Sequence, residues 1–356
     1  ISYASYRLVP ILQEVLDYQP DLLILYTGHN EFLEDRSYPR LKNPAWTTRQ
    51  LRKIRTHWQT INCLRQLCYR SPGPPQEDSL RIVMPTEVNG LLDQARLQDY
   101  HHDPQWHRDV IEHYQFNLQR MIQLAQQAQI PLILVNPVSN LKDCPPFKIE
   151  PGISVSGADQ EQLQRLWDEA RQSPLLETRI EKLQAAIQLD PKHAGAQYHL
   201  GKCYEAAGQF EQAKACLLIA KDHDVCPLRM LEPMHTRLIS IAKETHTPLV
   251  DARQLLEDQS AKGITGNKVL LDHVHPTIEA HQSIAAALLE KMIQLKILSA
   301  SDGWQTVQVQ HYRDHIGQLP KAYYERGKQR LAGLRLWTQG RAGELNLLPP
   351  SEPSQP

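Results

Sequence analysis

Three short apolar runs stand out along the chain, separated by stretches in which apolar and polar residues alternate less regularly. They cover residues 21–26, 130–135 and 248–252. A short, nearly continuous apolar run next to a helical pattern is typical of a strand that is buried on both faces of a parallel sheet. We therefore expect these runs to be parallel strands of an α/β domain.

Helical spacing surrounds these predicted strands. Apolar residues recur three and four positions apart over residues 6–18, 110–128, 234–244 and 277–295, which predicts one amphipathic helix in each stretch. Another amphipathic stretch, 51–67, carries basic residues on its polar faces, and we interpret these as a solvated surface.

A segment rich in Gln, Ala and Leu, residues 158–226, interrupts this alternation. It is similar to a tetratricopeptide repeat, with small and large residues at the positions where the paired helices pack. Those positions are Leu200, Gly201, Tyr204, Ala213 and Ala220. A preceding copy is degenerate, because Trp167 stands where the repeat has a Gly. Two repeats are too few for a free-standing array, so we expect the segment to pack against the α/β core.

The helix–strand alternation resumes after this segment, which identifies the segment as an insertion. The predicted division is an α/β domain in two parts (1–157 and 229–297), the helical insertion (158–228), a helical extension (298–342) and a disordered tail (343–356).

Composition narrows the classes of function. A formal net charge of −1 over 356 residues gives no electrostatic reason to expect nucleic acid as a partner. The six cysteines include no C-x-x-C pair, so neither a disulfide framework nor a zinc ribbon is predicted. No apolar run approaches the roughly 18–20 residues that span a bilayer.

The sequence begins at Ile1 and enters a helical pattern at once, so we expect a truncated chain. A membrane anchor is then expected only in a preceding segment, and the localisation stays open, with the cell envelope as one candidate.

Two polar motifs carry candidate chemistry. Asp272-His273-Val274-His275 puts a carboxylate three residues before an imidazole, close enough to accept the proton of one ring nitrogen and leave the other free as a base. Gly28-His29-Asn30-Glu31 follows the first predicted strand, at the sheet edge where α/β proteins bind ligands. The Asn30 amide is a candidate oxyanion donor. A metal site built from Asp272, His273, His275 and His281 is a weaker alternative, and we expect no metal and no cofactor.

Together the two motifs resemble those of the SGNH (GDSL-like) hydrolase superfamily. The strings Tyr-Ala-Ser-Tyr-Arg and Tyr-Thr-Gly-His-Asn-Glu-Phe are similar to bacterial SGNH proteins that carry tetratricopeptide repeats. The resemblance extends over residues 1–36, 107–145 and 230–296. It implies a three-layer α/β/α fold with a parallel sheet, whose first strands would precede this chain.

The resemblance also implies residue roles. His275 would be the general base, Asp272 would orient it, and Asn30 would contribute to the oxyanion hole, with Gly28, His29 and Glu31 binding substrate. Glu31 stands where the family usually has Asp. The nucleophilic serine would lie upstream of Ile1, Ser2 and Ser5 would be structural, and this fragment alone would be inactive.

The expected function is therefore a serine esterase or acyl hydrolase that acts on a small-molecule or carbohydrate ester. Two alternatives stay open: transfer of the acyl group to a carbohydrate hydroxyl, and a non-catalytic scaffold that binds a protein or peptide through the helical insertion.

Overall fold

The computed structural model describes residues 3–33 and 100–328. Several features named above lie outside the described residues: the predicted helix over 51–67, Cys63 and Cys68, residues 329–342 of the predicted helical extension, and the predicted tail 343–356. The described part is a mixed α/β structure that is mostly helical and contains a small parallel sheet.

The strands are β1 (Leu23–Tyr26), β2 (Leu132–Asn136) and β3 (Leu249–Asp251). The helices are α1 (Ser5–Leu16), α2 (Pro104–Gln127), α3 (Gly157–Gln172), α4 (Leu176–Leu189), α5 (Ala194–Ala206), α6 (Phe210–Asp222), α7 (Glu232–Glu244), α8 (Ala252–Asp258), α9 (Ile278–Gln294) and α10 (Trp304–Gln318).

The sheet has the order β1-β2-β3, and both pairings are parallel. Leu23 pairs with Leu132, and Leu134 pairs with Leu249. The three predicted apolar runs are thus confirmed as parallel strands. Because the strands run in the same direction, the loops that follow them start at one edge of the sheet.

Helices pack against both faces of β2, and all five residues of this strand are buried. Leu132 and Leu134 join a core formed with α1, α2 and α7. Val135 joins a second core formed with α8 and α9. Since side chains alternate along a strand, these cores lie on opposite faces of the sheet.

β1 is only partly buried, and on one face, so its predicted burial on both faces is wrong. Leu23 and Leu25 pack against the first core, whereas Ile24 and Tyr26 are 44% and 38% exposed. Of the described helices on the second face, α8 contacts β2 and α9 contacts β3. The hydrophobic run alone could not reveal which strand those helices cover.

The insertion forms the two helix pairs α3–α4 and α5–α6. A Cβ on Gly201 would lie 2.9 Å from Leu217 Cγ and 3.1 Å from the Ala213 carbonyl oxygen, so α5 and α6 approach as closely as the repeat pattern predicts. At the degenerate position, the Trp167 ring fills the space where a Cβ on Gly195 would sit.

The expected contact of the insertion with the α/β core is confirmed. Tyr198 on α5 donates its hydroxyl to the Lys142 carbonyl oxygen at 2.8 Å, and Leu141 packs with Tyr198 and Leu217. Every residue of α5 from Ala194 to Gly201 is buried. The small residues of α5 therefore serve packing on both sides of the helix.

Two helix starts differ from the predicted pattern. α2 begins at Pro104, with Asp103 accepting the Trp106 N–H at 2.9 Å. α8 was not predicted; Asp251 caps it by accepting the Gln254 N–H at 3.0 Å. Side-chain caps of this kind extend a helix beyond its apolar periodicity. None of the helices in residues 3–33 and 100–328 combines the length and the apolar character needed to cross a membrane.

Candidate functional site

The turn that carries Asp272 and His275 is closed by its own backbone. The Leu271 N–H donates to the His275 carbonyl oxygen at 2.7 Å, and the Thr277 N–H donates to the Val269 carbonyl oxygen at 3.0 Å. Thr277 then caps α9 through its side chain. The turn is therefore fixed between the second core and a helix start, which limits the freedom of both functional side chains.

The predicted hydrogen bond between the two side chains is present. His275 Nδ1 lies 2.6 Å from Asp272 Oδ2, while Asp272 Oδ1 accepts the N–H groups of Val274 and His275, each at 2.8 Å. The Asp272 side chain is 1% exposed and that of His275 is 55% exposed. The buried carboxylate thus fixes the imidazole ring through Nδ1, and the opposite edge of the ring is exposed.

The electrostatics of the pair favour charge separation. Burial raises the pKa of Asp272, but the hydrogen bond from His275 and the nearby His273 and His275 outweigh it, so the pKa lies below its ordinary value. The hydrogen bond to Asp272 raises the pKa of His275 against the opposing effect of burial. The pair therefore holds a carboxylate beside an imidazole that is easily protonated.

His273 points the other way, into the protein. Its ring packs edge-on against Phe147 and is nearly fully buried. Burial lowers its pKa to about 4, with Asp272 opposing the shift. His273 is thus a neutral packing residue at neutral pH.

The loop after β1 approaches this turn through His29. His29 Nδ1 accepts the Met230 N–H at 3.2 Å, and a Cβ on Gly28, whose φ is +140°, would meet the Met230 sulfur. Burial lowers the pKa of His29 to about 3, and His273 and His275 (when protonated) and Lys221 act in the same direction. His29 and the Asp272–His275 turn are therefore close enough to interact electrostatically, and glycine is required for the approach to Met230.

The next two residues of the loop differ in their surroundings. Asn30 is half-buried, and within the described residues its side chain makes no hydrogen bond. Glu31 is buried, and its two oxygens accept the Ser5 N–H at 2.7 Å and the Ser5 hydroxyl at 2.8 Å. Asn117 donates to the same hydroxyl at 3.1 Å. Glu31 and Ser5 therefore anchor α1 to the loop, and the substrate-binding role of Glu31 stays a prediction.

Asn140, in the loop after β2, is bonded to the Asp272 turn, a contact that the sequence did not predict. It is fully buried, and its N–H donates to the His273 carbonyl oxygen at 2.9 Å. Its side-chain amide donates to the Asp272 carbonyl oxygen at 3.0 Å, and its side-chain oxygen accepts the Asp143 N–H. The only signal in the sequence was its place in the loop that follows a predicted strand. Asparagine is common in loops because its side chain bonds to the nearby backbone, so this signal is not specific.

A buried polar layer lies behind the His29 loop. Lys221, 1% exposed, donates to the Met230 carbonyl oxygen at 2.6 Å and pairs with Glu232 at 3.0 Å, and Arg253 pairs with Glu232 at 2.8 Å. These residues line a cavity of about 10 Å³, which has room for about one water molecule. The layer fixes Met230, and through it the position of His29 and Gly28.

The histidines around the turn do not form a metal site. Across residues 3–33 and 100–328, no group of three or more His, Cys, Asp or Glu side chains has the arrangement to hold a metal ion. The alternative built on Asp272, His273, His275 and His281 therefore lacks the required geometry. In this part of the chain Cys144, Cys203 and Cys216 are free and buried, and Cys226 is buried.

Comparison with known proteins identifies one region. No curated protein and no solved structure matches the chain. A family model for the tetratricopeptide repeat matches residues 180–226, which include α5, α6 and most of α4. Proteins with such repeats commonly use them for contacts with other proteins, which is compatible with a protein partner. Residues 180–226 are therefore a tetratricopeptide-repeat region within a mixed α/β chain.

Proposed function

We propose that the chain belongs to an SGNH-type serine esterase or acyl hydrolase. The observation that supports this best is the buried Asp272 carboxylate bonded to Nδ1 of a His275 ring whose other edge is exposed. This is the arrangement by which a carboxylate fixes the tautomer of a general base. The three-layer fold of that superfamily belongs to the same proposal, supported by helices on both faces of β2.

In this mechanism His275 takes the proton of the attacking hydroxyl at Nε2, because Nδ1 carries the proton bonded to Asp272. The ionised Asp272 stabilises the resulting imidazolium. Since the pKa of His275 is raised, the acid limb of the rate profile is expected at a higher pH than for an unpaired histidine.

A neutral donor from the loop after β1 would stabilise the oxyanion. Asn30 offers a side-chain amide that makes no hydrogen bond within the described residues. His29 would line the substrate pocket; it accepts at Nδ1, so its proton is on the buried Nε2. Loss of one oxyanion donor typically costs about 10²–10³ in rate.

The nucleophilic serine is proposed to lie in a segment that precedes Ile1, as the family resemblance implies. Among the described residues, no serine hydroxyl is bonded to His275, and Ser5 is occupied by Glu31 and Asn117. The substrate is proposed to be an acyl ester of a small molecule or a carbohydrate.

His275→Ala in a chain that includes the preceding segment tests this proposal. With a short acyl ester such as p-nitrophenyl acetate, we expect turnover to fall by about 10³-fold or more. His311→Ala, which removes an exposed histidine on α10, is the matched control and should leave turnover within about twofold. Undiminished turnover in His275→Ala would refute the assignment. Adding a carbohydrate acceptor and following acyl-sugar formation separates hydrolysis from acyl transfer.

A protein-binding role for the insertion is a second candidate, supported by the repeat match over 180–226. Because α5 is buried from Ala194 to Gly201, a partner peptide would have to bind another face of the insertion. Wild-type turnover of esters by a chain without residues 158–226 would favour this separate role.

A further inference from the structure

The loop between β2 and α3 is held from two sides. We name residues 140–148 the bridging loop, because it lies between the helical insertion and the turn that carries Asp272 and His275. Leu141 and Lys142 both donate their N–H groups to the Thr265 carbonyl oxygen at 3.1 Å. This attaches the loop to the segment leading into the turn.

On the insertion side, a buried ion pair holds the bridging loop. Arg229 Nη1 donates to the carbonyl oxygens of Asn140 at 2.9 Å and Cys144 at 2.7 Å. Asp224, at the end of the repeat region, accepts the N–H groups of Phe147 at 2.8 Å and Lys148 at 3.1 Å.

Arg229 is 2% exposed and Asp224 is 0% exposed. Arg229 Nη2 lies 3.5 Å from Asp224 Oδ2. A buried pair in which both partners also bond the backbone is costly to form and costly to break. Each backbone bond therefore has a fixed geometry, and the bridging loop has little freedom relative to the insertion.

On the side of the turn, Asn140 transmits this attachment. The Asn140 carbonyl oxygen accepts from Arg229. The N–H of Asn140 donates to the His273 carbonyl oxygen, and its side-chain amide donates to the Asp272 carbonyl oxygen. The path from Asp224 in the repeat region to the backbone of Asp272 therefore consists of the buried ion pair with Arg229 and two consecutive buried hydrogen bonds, from Arg229 to Asn140 and from Asn140 to Asp272.

We propose that Arg229 and Asn140 are positioning residues through which the repeat insertion fixes the Asp272–His275 pair. The insertion thus binds a segment of its own chain, the bridging loop, and orders the site in cis. The catalytic meaning of this inference rests on the proposed esterase function, whereas its structural content concerns only the geometry of the pair.

Arg229→Lys tests the inference. Lysine keeps the positive charge near Asp224, but its side chain is one atom shorter, so its Nζ falls short of the position from which Arg229 Nη1 donates to both carbonyl oxygens. The pKa of His275 is measured by NMR titration of the full chain. Asp272, His273, His29 and His281, the titratable groups around the ring, are unchanged in the variant.

We expect the pKa of His275 to fall in Arg229→Lys, because a displaced Asp272 bonds the ring less well. Asp272→Asn sets the size of the shift when that bond is lost. A folded Arg229→Lys variant whose His275 pKa equals that of the wild type, while Asp272→Asn lowers it, would overturn the inference. Since no ester is used, failure of the proposed function leaves this measurement interpretable.

A milder pair of variants decides the matter if Arg229→Lys does not fold. Tyr198→Phe removes the hydroxyl that binds Lys142 in the bridging loop, and Tyr204→Phe removes a hydroxyl on the same helix that accepts from Gln184 at 2.8 Å. We expect hydrogen exchange of the Val274 and His275 amides to be about fivefold faster in Tyr198→Phe than in Tyr204→Phe. Equal rates in the two variants would contradict the inference.

Discussion

The loops after β1 and β2 each carry an asparagine at the same edge of the sheet, and they use it in opposite ways. Asn140 is fully buried and hydrogen-bonded through its backbone and both side-chain atoms. Asn30 is half-buried, and its side chain makes no hydrogen bond within the described residues. The Asn140 amide connects parts of the chain, whereas the Asn30 amide has no hydrogen-bond partner among the described residues, as the proposed oxyanion role requires.

This difference teaches how a site can be rigid and reactive at once. A buried amide whose partners are all supplied by the protein fixes a loop, because any displacement leaves polar groups unsatisfied. A donor without a protein partner can instead form its hydrogen bond with the reacting group. Asn140, of the first kind, is bonded to the backbone of the Asp272 turn, and Asn30, of the second kind, follows His29 in the loop after β1.

The largest expected effect comes from removing the side chain of Asn140. Asn140→Ala should lower the free energy of unfolding by about 3–4 kcal/mol, because it removes two donated bonds and leaves the Asp143 N–H unsatisfied. Asn30→Ala is the matched control and should change it by less than about 0.5 kcal/mol. Urea unfolding of both variants gives the comparison, and similar losses in the two would contradict the distinction.

The range over which each contact acts explains what the sequence could predict. The strands and the bond between Asp272 and His275 were predictable, because apolar runs and a three-residue spacing are local. The contacts of Asn140 with Asp272, 132 residues away, and with Arg229, 89 residues away, have no local pattern. The exposed face of β1 likewise depends on where α8 and α9 pack.

Asp272→Asn tests the hydrogen bonds of the turn to which Asn140 is bonded. The carboxylate accepts two backbone N–H groups and the His275 ring, and bonds to a charged acceptor are stronger than neutral ones. We expect a loss of about 2–3 kcal/mol in unfolding free energy and a lower pKa of His275. Urea unfolding and NMR titration measure the two effects, and an unchanged pKa would mean that the bond is not formed in solution.

His29→Asn tests whether the loop after β1 is fixed by burial. The pKa of His29 is about 3 in the folded chain and about 6.5 when unfolded, so the unfolded state binds the proton first as the pH falls. Stability is therefore lost from about pH 6.5 downward, by about 1.4 kcal/mol per pH unit. Asparagine keeps an acceptor for the Met230 N–H without titrating.

The measurement is urea unfolding of the wild type and His29→Asn at pH 7.5 and pH 5. The wild type should lose about 2 kcal/mol more than the variant between these two values. Equal losses would show that His29 is accessible to protons in the folded chain. The loop after β1 would then not be fixed by the burial of His29.

The smallest effect concerns Glu31, for which the sequence and the structure indicate different roles. Its carboxylate accepts both the N–H and the hydroxyl of Ser5, so Glu31→Gln should lower the free energy of unfolding by about 1 kcal/mol through loss of the charged acceptor. If Glu31 only anchors α1, ester turnover by the chain that carries the nucleophile should keep its KM. A changed KM at unchanged stability would instead place Glu31 in the substrate pocket, and the loop after β1 would then contribute a third side chain to binding.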